Sequence, residues 1–173
     1  MRIQPCKRKR SLKKGTINPV KRDNWKVLGL IAFILIIAID TWTKYWALGA
    51  LQQAPISIGS FLGIDLSLTL TTNQGAAWGV ASSIPKVLLA IRCIIILGLV
   101  WFLYSPRCPI SWKIPLCCAI AGALSNIRDT FLWGHVVDMF DVRLFGYDYP
   151  VFNVADIAIT LSVLVLFFRC RKK

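Results

Sequence analysis

Two aspartates in the second half of the chain, Asp138 and Asp156, have the chemistry needed to hydrolyse a peptide bond. They would approach each other if the chain leaves one apolar segment, forms a loop and enters the next. Two close carboxyl groups in a partly dry site cannot both ionise easily, so one keeps its proton. Such a pair offers a general base for water and a general acid for the carbonyl or the leaving amine. Two other pairs remain open from the sequence: Asp129 with Asp138, and Asp40 with Asp156.

Further polar side chains lie inside or at the ends of apolar segments, where an ionisable group costs about 2.5–3.5 kcal/mol. Asp40 and Lys44 are four positions apart, a spacing that favours an ion pair on one helix face. Asn126 and Asn153 are neutral groups that can hold carboxylates or substrate carbonyls without adding charge. We therefore expect these residues to support a site.

Metal and disulfide chemistry are poorly supported. The only histidine is His135, and neither a CxxC nor an HExxH motif occurs, so a zinc site would lack ligands. The six cysteines all lie outside the segments predicted to face outwards, which argues against a disulfide framework. We expect no metal and no cofactor.

Four apolar stretches must position the polar groups. Of the 173 residues, 56% are hydrophobic and 17% are charged, a composition that excludes a disordered chain and indicates a membrane protein. A helix needs about 17–25 predominantly apolar residues to cross a bilayer. The predicted transmembrane helices cover about residues 27–48, 87–104, 114–131 and 151–168.

The net charge of +13 indicates the orientation of the chain. Basic residues cluster before Trp25, between the second and third stretches, and after residue 168. By the positive-inside rule these clusters are cytoplasmic, so both termini face the cytoplasm and residues 49–86 and 132–150 face outwards. Attraction to anionic lipid explains the basic tail without nucleic acid. A cleavable signal peptide ending near Ala47 and Gly49 is an alternative, but it has no reason to carry Asp40 and Lys44.

The first outer segment has the period of a half-buried strand, because apolar and polar residues alternate over residues 64–71. With Ile56–Ile58, and with Gly59, Gly63 and Gly75 as bends, it predicts a small antiparallel sheet on the membrane surface. A lid with no catalytic part is the alternative. The second outer segment, 133–150, is aromatic, as expected at an interface, and carries three aspartates.

Four motifs carry a resemblance to a known family: Asp40–Lys44, Asn73–Gly79, Gly122–Asp129 running on to Val136–Phe140, and Phe152–Ile159. On these motifs the chain closely resembles signal peptidase II, the prolipoprotein signal peptidase, a bacterial intramembrane aspartic protease. The family removes signal peptides from precursors whose cysteine bears a diacylglyceryl group, and it cleaves just before that cysteine. The same activity is what the resemblance implies here.

The resemblance also implies roles for individual residues. Asp138 and Asp156 would be the catalytic dyad, and the substrate-binding or supporting residues would be Asn73, Gly75, Asn126, Asp129, Asn153, Asp40 and Lys44. One position departs from the family, because Thr130 stands where an arginine usually follows the Asn-x-x-Asp motif. Arg128 is a candidate for supplying that cation from another angle.

Together these observations predict an all-α membrane protein of four transmembrane helices with a small extracytoplasmic β-sheet cradle. Residues 1–24 would form a basic cytoplasmic tail and residues 25–173 a single peptidase domain in the bacterial inner membrane, with the active site near the outer face. The expected partners are diacylglyceryl-modified prolipoproteins and membrane lipid, with no nucleic acid, and the chain is expected to be a monomer.

Three alternatives stay open. A proton-coupled transporter subunit would space its carboxylates through the bilayer, whereas here they gather at one face. A non-enzymatic membrane scaffold would use the charged pairs only to hold helices together. A serine–lysine protease built on Ser82, Ser83 and Lys86 would lack a group that orients the base.

Overall fold

The computed structural model describes residues 19–73 and 84–171, and within these ranges the chain forms four helices and one four-stranded sheet. The helices are α1 (Pro19–Ala50), α2 (Pro85–Tyr104), α3 (Ile110–Trp133) and α4 (Val154–Arg171). The strands are β1 (Ile56–Phe61), β2 (Ile64–Asn73), β3 (Val136–Leu144) and β4 (Tyr147–Asp148). Strands β1 and β2 follow α1 in the sequence, and strands β3 and β4 lie between α3 and α4.

Three of the described helices are long and apolar enough to cross a membrane: α1 over Asn24–Ala50, α2 and α3. The fourth, α4, has 18 residues and carries Asp156 in its first turn and Arg169 and Arg171 in its last. These charges reduce its apolar character, so length and composition identify three spans where the sequence predicted four.

The helix ends differ from the predicted ones for local reasons. Helix α1 begins at Pro19, inside the segment predicted as a tail, and extends beyond the apolar stretch at both ends. Helix α2 has a proline in its first turn, where the missing N–H has no helical partner to lose. Helix α3 ends at Trp133 and is capped by Gly134, which adopts φ 77° and donates its N–H to the Thr130 carbonyl. Helix α4 begins at residue 154 rather than 151, directly after Asn153.

The sheet is antiparallel throughout, with strand order β1-β2-β3-β4. The predicted strand in residues 64–71 is present and continues to Asn73. Leu62 and Gly63 form the turn before it, both at positive φ, as a tight hairpin turn requires. The second outer segment was predicted only as an aromatic interface, yet it contributes β3 and β4. The sheet is therefore larger than the cradle expected from the first outer segment alone.

Helix α3 is the centre of the bundle, since α1, α2 and α4 all pack against it. Helices α3 and α4 approach each other closely at Gly122, where an added Cβ would lie 2.6 Å from the Ala155 carbonyl oxygen. Backbone contact of this kind is possible only for glycine, and it fixes the start of α4 against the middle of α3. The polar residues of both helices are thereby brought together.

Candidate active site

The polar residues singled out in the sequence meet where α1, α3, β3 and α4 converge. Asp138 is the third residue of β3 and pairs in register with Thr71 of β2. Asn153 precedes α4 and Asp156 lies in its first turn. Asp138 is 3% exposed and Asn153 is fully buried, so the site is largely closed to solvent.

Backbone hydrogen bonds between β3 and the residue before Asn153 explain this convergence. The N–H groups of Met139 and Phe140 both donate to the Phe152 carbonyl, and the Phe152 N–H donates to the Phe140 carbonyl. The segment before α4 therefore lies against the start of β3. This pairing places Asn153 beside Asp138, 15 positions away in the sequence.

Asn153 contacts both candidate catalytic residues. Its Nδ2 donates to Asp138 Oδ1 over 2.6 Å, with a longer contact of 3.3 Å to the Val137 carbonyl. Its Oδ1 accepts the N–H of Asp156 over 2.9 Å, while Asp156 Oδ2 accepts the Asn153 N–H over 3.2 Å. These reciprocal bonds form a capping box, which starts α4 and orients the Asp156 carboxylate at the same time.

Asn126 of α3 extends this arrangement towards α1. Its Nδ2 donates to Asp156 Oδ1 over 2.8 Å. Its Oδ1 accepts from Lys44 Nζ over 2.9 Å and from Asn153 Nδ2 over 3.1 Å. Both Asp156 oxygens are thus held by protein donors, which fixes the carboxylate plane.

Lys44 is fully buried, and its Nζ lies close to three side-chain oxygens. The ion pair expected from the four-residue spacing is present, with Lys44 Nζ 2.6 Å from Asp40 Oδ2. Asp129 Oδ2 lies 2.5 Å from the same nitrogen, and Asn126 Oδ1 accepts a hydrogen bond from it. Two carboxylates therefore surround one cation, and Arg128 Nη2 adds a second positive charge 3.1 Å from Asp129 Oδ1.

Asp40 connects this cluster to α4. Its Oδ2 accepts from Ser125 Oγ over 2.6 Å, and its Oδ1 accepts the Ala155 N–H over 2.8 Å. A carboxylate at the N-terminal end of a helix is stabilised by the unpaired N–H groups there. Sequence reasoning did not select Ser125, which carries no charge and lies three positions from Gly122 and one from Asn126.

Asp138 is outside the membrane helices, and its pKa is raised to about 7. Burial is the main cause, because it disfavours the charged form, and the charge of Asp156 adds to it. The hydrogen bond from Asn153 and the charge of Lys44 lower the pKa of Asp138 and partly offset these effects. Near neutral pH this carboxyl group can therefore hold or release a proton.

Three further residues were singled out in the sequence. Asn73, at the end of β2, pairs in register with Val136, two residues before Asp138. Gly75 falls outside the described residues. Arg128 bonds to Thr41 and Asp129, and neither Asp138 nor Asp156 is among its described partners. The hypothesis that Arg128 replaces the family arginine therefore receives no support from its contacts.

Thr130, at the position of that arginine, donates its hydroxyl to the Asn126 carbonyl over 3.2 Å and stays within its own helix. The two other aspartates of the second outer segment have roles within the sheet. Asp141 accepts from Ser67 on the neighbouring strand, and Asp148 pairs with Arg143 at the exposed edge. Among the described residues, no cluster of three or more His, Cys, Asp or Glu side chains has the arrangement of a metal site.

The chain is similar to proteins of one known family. A family profile described as "Signal peptidase (SPase) II" matches residues 32–171. The lipoprotein signal peptidases of Staphylococcus aureus strains JH9 and Newman are each 33% identical over 141 residues, covering 79% of this chain and 83% of the relative.

Two solved structures of bacterial membrane enzymes, determined by the in meso method, also match. The first, at 2.3 Å resolution, has a TM-score of 0.71 and 31% identity, covering 83% of this chain and 87% of that one. The second, at 1.9 Å, has a TM-score of 0.69 and 30% identity, covering 82% and 91%.

Apolar helices around a buried polar site, together with these similarities, define a peptidase of the membrane. The chain belongs to the signal peptidase II family. As a peptidase it is a hydrolase, and the transporter and scaffold alternatives are set aside.

Proposed function

We propose that the protein is an intramembrane aspartic endopeptidase that removes signal peptides from diacylglyceryl-modified prolipoproteins by cleaving just before the lipidated cysteine. Asp138 and Asp156 are the catalytic dyad of this proposal. The observation that carries it is the set of hydrogen bonds by which the single residue Asn153 holds both carboxyl groups. The relatives named lipoprotein signal peptidase support the substrate class.

In the proposed reaction Asp138 begins with its proton and Asp156 begins ionised. Asp156 removes a proton from a water molecule, and the resulting hydroxide attacks the scissile carbonyl carbon while Asp138 gives its proton to the carbonyl oxygen. The C–N bond of the tetrahedral intermediate then breaks, and the leaving amine takes the proton from Asp156. A hydroxyl group of the intermediate returns its proton to Asp138, which leaves the new carboxyl group. A pKa of about 7 at Asp138 supports this assignment, because the carboxyl group still holds a proton near neutral pH.

The surrounding residues position the dyad in this proposal. Lys44 acts through Asn126, whose amide holds Asp156 Oδ1, and Asp40 fixes the start of α4. Asp129 balances the buried charge of Lys44. Asn73 and Gly75 are assigned to substrate binding, because Asn73 closes β2 opposite Val136, near Asp138.

A cavity beside Asp156 supports an apolar substrate. It has a volume of about 210 Å³ and is lined by Tyr149, Phe152, Asp156, Ile157, Thr160 and Leu161. An apolar wall with one carboxylate is suited to a lipidated peptide whose scissile bond must lie against a catalytic group. We assign this cavity to the part of the substrate next to the cleaved bond.

The proposal includes a fourth span and an orientation. Helix α4, with 18 residues, rises about 27 Å, close to the bilayer's apolar thickness of about 30 Å. Its Asp156 is hydrogen-bonded to Asn126 and Asn153. With four spans, the positive-inside rule places both termini in the cytoplasm and the dyad near the outer face of the inner membrane. Residues 25–173 then form one domain, acting as a monomer, behind a tail of residues 1–24.

Cleavage of a lipidated precursor tests the proposal directly. Purified full-length protein in detergent is mixed with a diacylglyceryl-modified prolipoprotein, and the mass of the product is followed for wild type, Asp138→Asn and Asp156→Asn. Wild type should release a product beginning at the lipidated cysteine, and both variants should lose cleavage by several orders of magnitude while remaining folded. Asp148→Asn is the matched control, because that exposed carboxylate pairs only with Arg143 among its described contacts.

Undiminished cleavage by Asp138→Asn or Asp156→Asn would reject the dyad. Absence of cleavage by folded wild type would reject the substrate class.

A further inference from the structure

A cavity of about 490 Å³ lies between α1, α2 and α3, at the end of the bundle opposite Asp138 and Asp156. Its walls come from the first turns of α1, the last turns of α2 and the adjoining part of α3, and almost all of them are apolar. An apolar cavity of about 150 Å³ already binds benzene, so a cavity about three times larger can take a stretch of acyl chain. In a bilayer, lipids are the apolar molecules that surround transmembrane helices and could enter such a cavity.

The end of this cavity next to the start of α1 and the end of α2, called its mouth here, carries positive charge. Lys26 is among the lining residues, and none of the other described lining residues is acidic. A second lysine, Lys113, places Nζ 4.3 Å from the centre of the Trp25 ring and 2.7 Å from the Leu103 carbonyl oxygen, and both of those residues line the cavity. The bond to Leu103 uses one of three ammonium hydrogens, so Lys113 can still donate to an anion.

Aromatic residues at the same end of the cavity indicate that it lies at the level of the lipid headgroups. Trp25 and Tyr104 pack edge to face at the mouth, with ring centres 6.4 Å apart. Trp and Tyr favour the membrane interface because they combine an apolar ring with a polar group. The cavity, which is partly open, thus combines aromatic and cationic residues at one end with an apolar lining along the rest.

We propose that this cavity binds one anionic phospholipid of the surrounding bilayer, with an acyl chain inside it and the phosphate at Lys26 and Lys113. Basic sites between transmembrane helices at one membrane face are a known way to bind anionic headgroups. The site is separate from the dyad and does not depend on the reaction assigned to it. Its bound lipid joins α1 to α2, two helices whose main packing is against α3.

Native mass spectrometry of the full-length protein in detergent tests this site. The protein is titrated with phosphatidylglycerol or with phosphatidylcholine of the same acyl chains, and the fraction carrying one lipid gives each affinity. Wild type should prefer phosphatidylglycerol, and removing each lysine should weaken its binding about fivefold. The double variant Lys26→Gln, Lys113→Gln should bind the two lipids equally. Lys86→Gln removes the same charge from the other end of α2 and should change nothing.

A second pair of variants tests the acyl-chain part of the site. Val100→Trp fills the cavity and should reduce the binding of both lipids, and Leu30→Trp does so from a more exposed position if the first variant unfolds. Equal affinity of wild type for the two lipids, or a preference that survives in the double lysine variant, would overturn the proposal. So would unchanged lipid binding in a folded variant with the cavity filled. None of these readouts uses peptide cleavage, so failure of the proposed reaction leaves them interpretable.

Discussion

The carboxylate of Asp40 in α1 accepts the backbone N–H of Ala155 in α4 over 2.8 Å, across 115 positions of sequence. Ala155 is the second residue of α4, so Asp40 supplies a partner to an N–H that the helix itself cannot satisfy. The next residue is Asp156. The position of one candidate catalytic group is therefore set partly by the far end of another helix.

Replacing Asp40 should destabilise the protein through this cap. In Asp40→Ala, the Ala155 N–H and Ser125 lose their acceptor and Lys44 loses one of two counter-charges, so we expect a loss of about 3–5 kcal/mol. In Asp40→Asn an oxygen remains to accept the N–H, and the loss should be smaller. Thermal unfolding in detergent measures both. Equal stability of Asp40→Ala and wild type would contradict this role.

Lys44 should be required for stability and for cleavage, because its positive charge lies between two buried carboxylates. Lys44→Met leaves Asp40 and Asp129 without their shared cation and Asn126 without a donor, and we expect a loss of about 3–5 kcal/mol and of cleavage. Adding Asp129→Asn removes one of the two carboxylates that lose Lys44. The double variant should therefore recover part of the stability that Lys44→Met loses. A double-mutant cycle measured by thermal unfolding gives the coupling, and strictly additive losses would exclude it.

Asp138 should make the fold less stable as the pH rises. Its pKa is about 7 in the folded protein and about 3.9 in an unfolded chain, so the folded state binds more protons between these values. The contribution of Asp138 to the free energy of unfolding is then highest below about pH 4 and falls as the pH rises towards 7. Asp138→Asn removes the effect and should stabilise the protein at pH 8 by about 1–4 kcal/mol.

Thermal unfolding at several pH values compares this variant with wild type and with Asp148→Asn, whose carboxylate is exposed. A lower stability of Asp138→Asn at pH 8 would show that the carboxylate holds the fold together there.

Asn153 should influence the pH dependence of cleavage. Its hydrogen bond lowers the pKa of Asp138, so Asn153→Ala should raise that pKa. If Asp138 acts as the acid, activity falls as the pH rises through its pKa, and the variant should shift this alkaline limb to higher pH. Loss of the helix cap should also cost about 1 kcal/mol. Asn153→Ser keeps a capping hydroxyl and separates the two effects. A profile of kcat against pH that does not move would exclude the influence on Asp138.

The sequence predicts much of this molecule where a pattern is local. The Asp40–Lys44 pair follows from helical spacing, and the strand from Ile64 follows from alternation. Strand β3 was missed because Val136, Val137, Asp138 and Met139 are all buried. A strand buried on both faces has no alternation to detect.

The contacts between helices around Lys44 could not be predicted from the sequence either, because they depend on how the helices pack. Asp129 and Asn126 of α3 contact Lys44 of α1, but nothing in their spacing relates the two helices. The same is true of the Asp40 cap on α4. Charge and motif identify which residues belong to a site, whereas packing decides which atoms meet.

Gly122 should be needed to keep α3 and α4 at their observed distance. In Gly122→Ala the new Cβ would lie 2.6 Å from the Ala155 carbonyl oxygen and 3.0 Å from Ile159 Cγ1. Helix α4 must then move, which should cost about 1–3 kcal/mol and lower cleavage, since Asp156 follows Ala155. Gly98→Ala is the matched control, because no atom lies within 4 Å of that Cβ and helix propensity favours alanine by up to about 1 kcal/mol. Thermal unfolding and cleavage rates measure both variants, and equal behaviour of the two would reject the close approach as a determinant of the site.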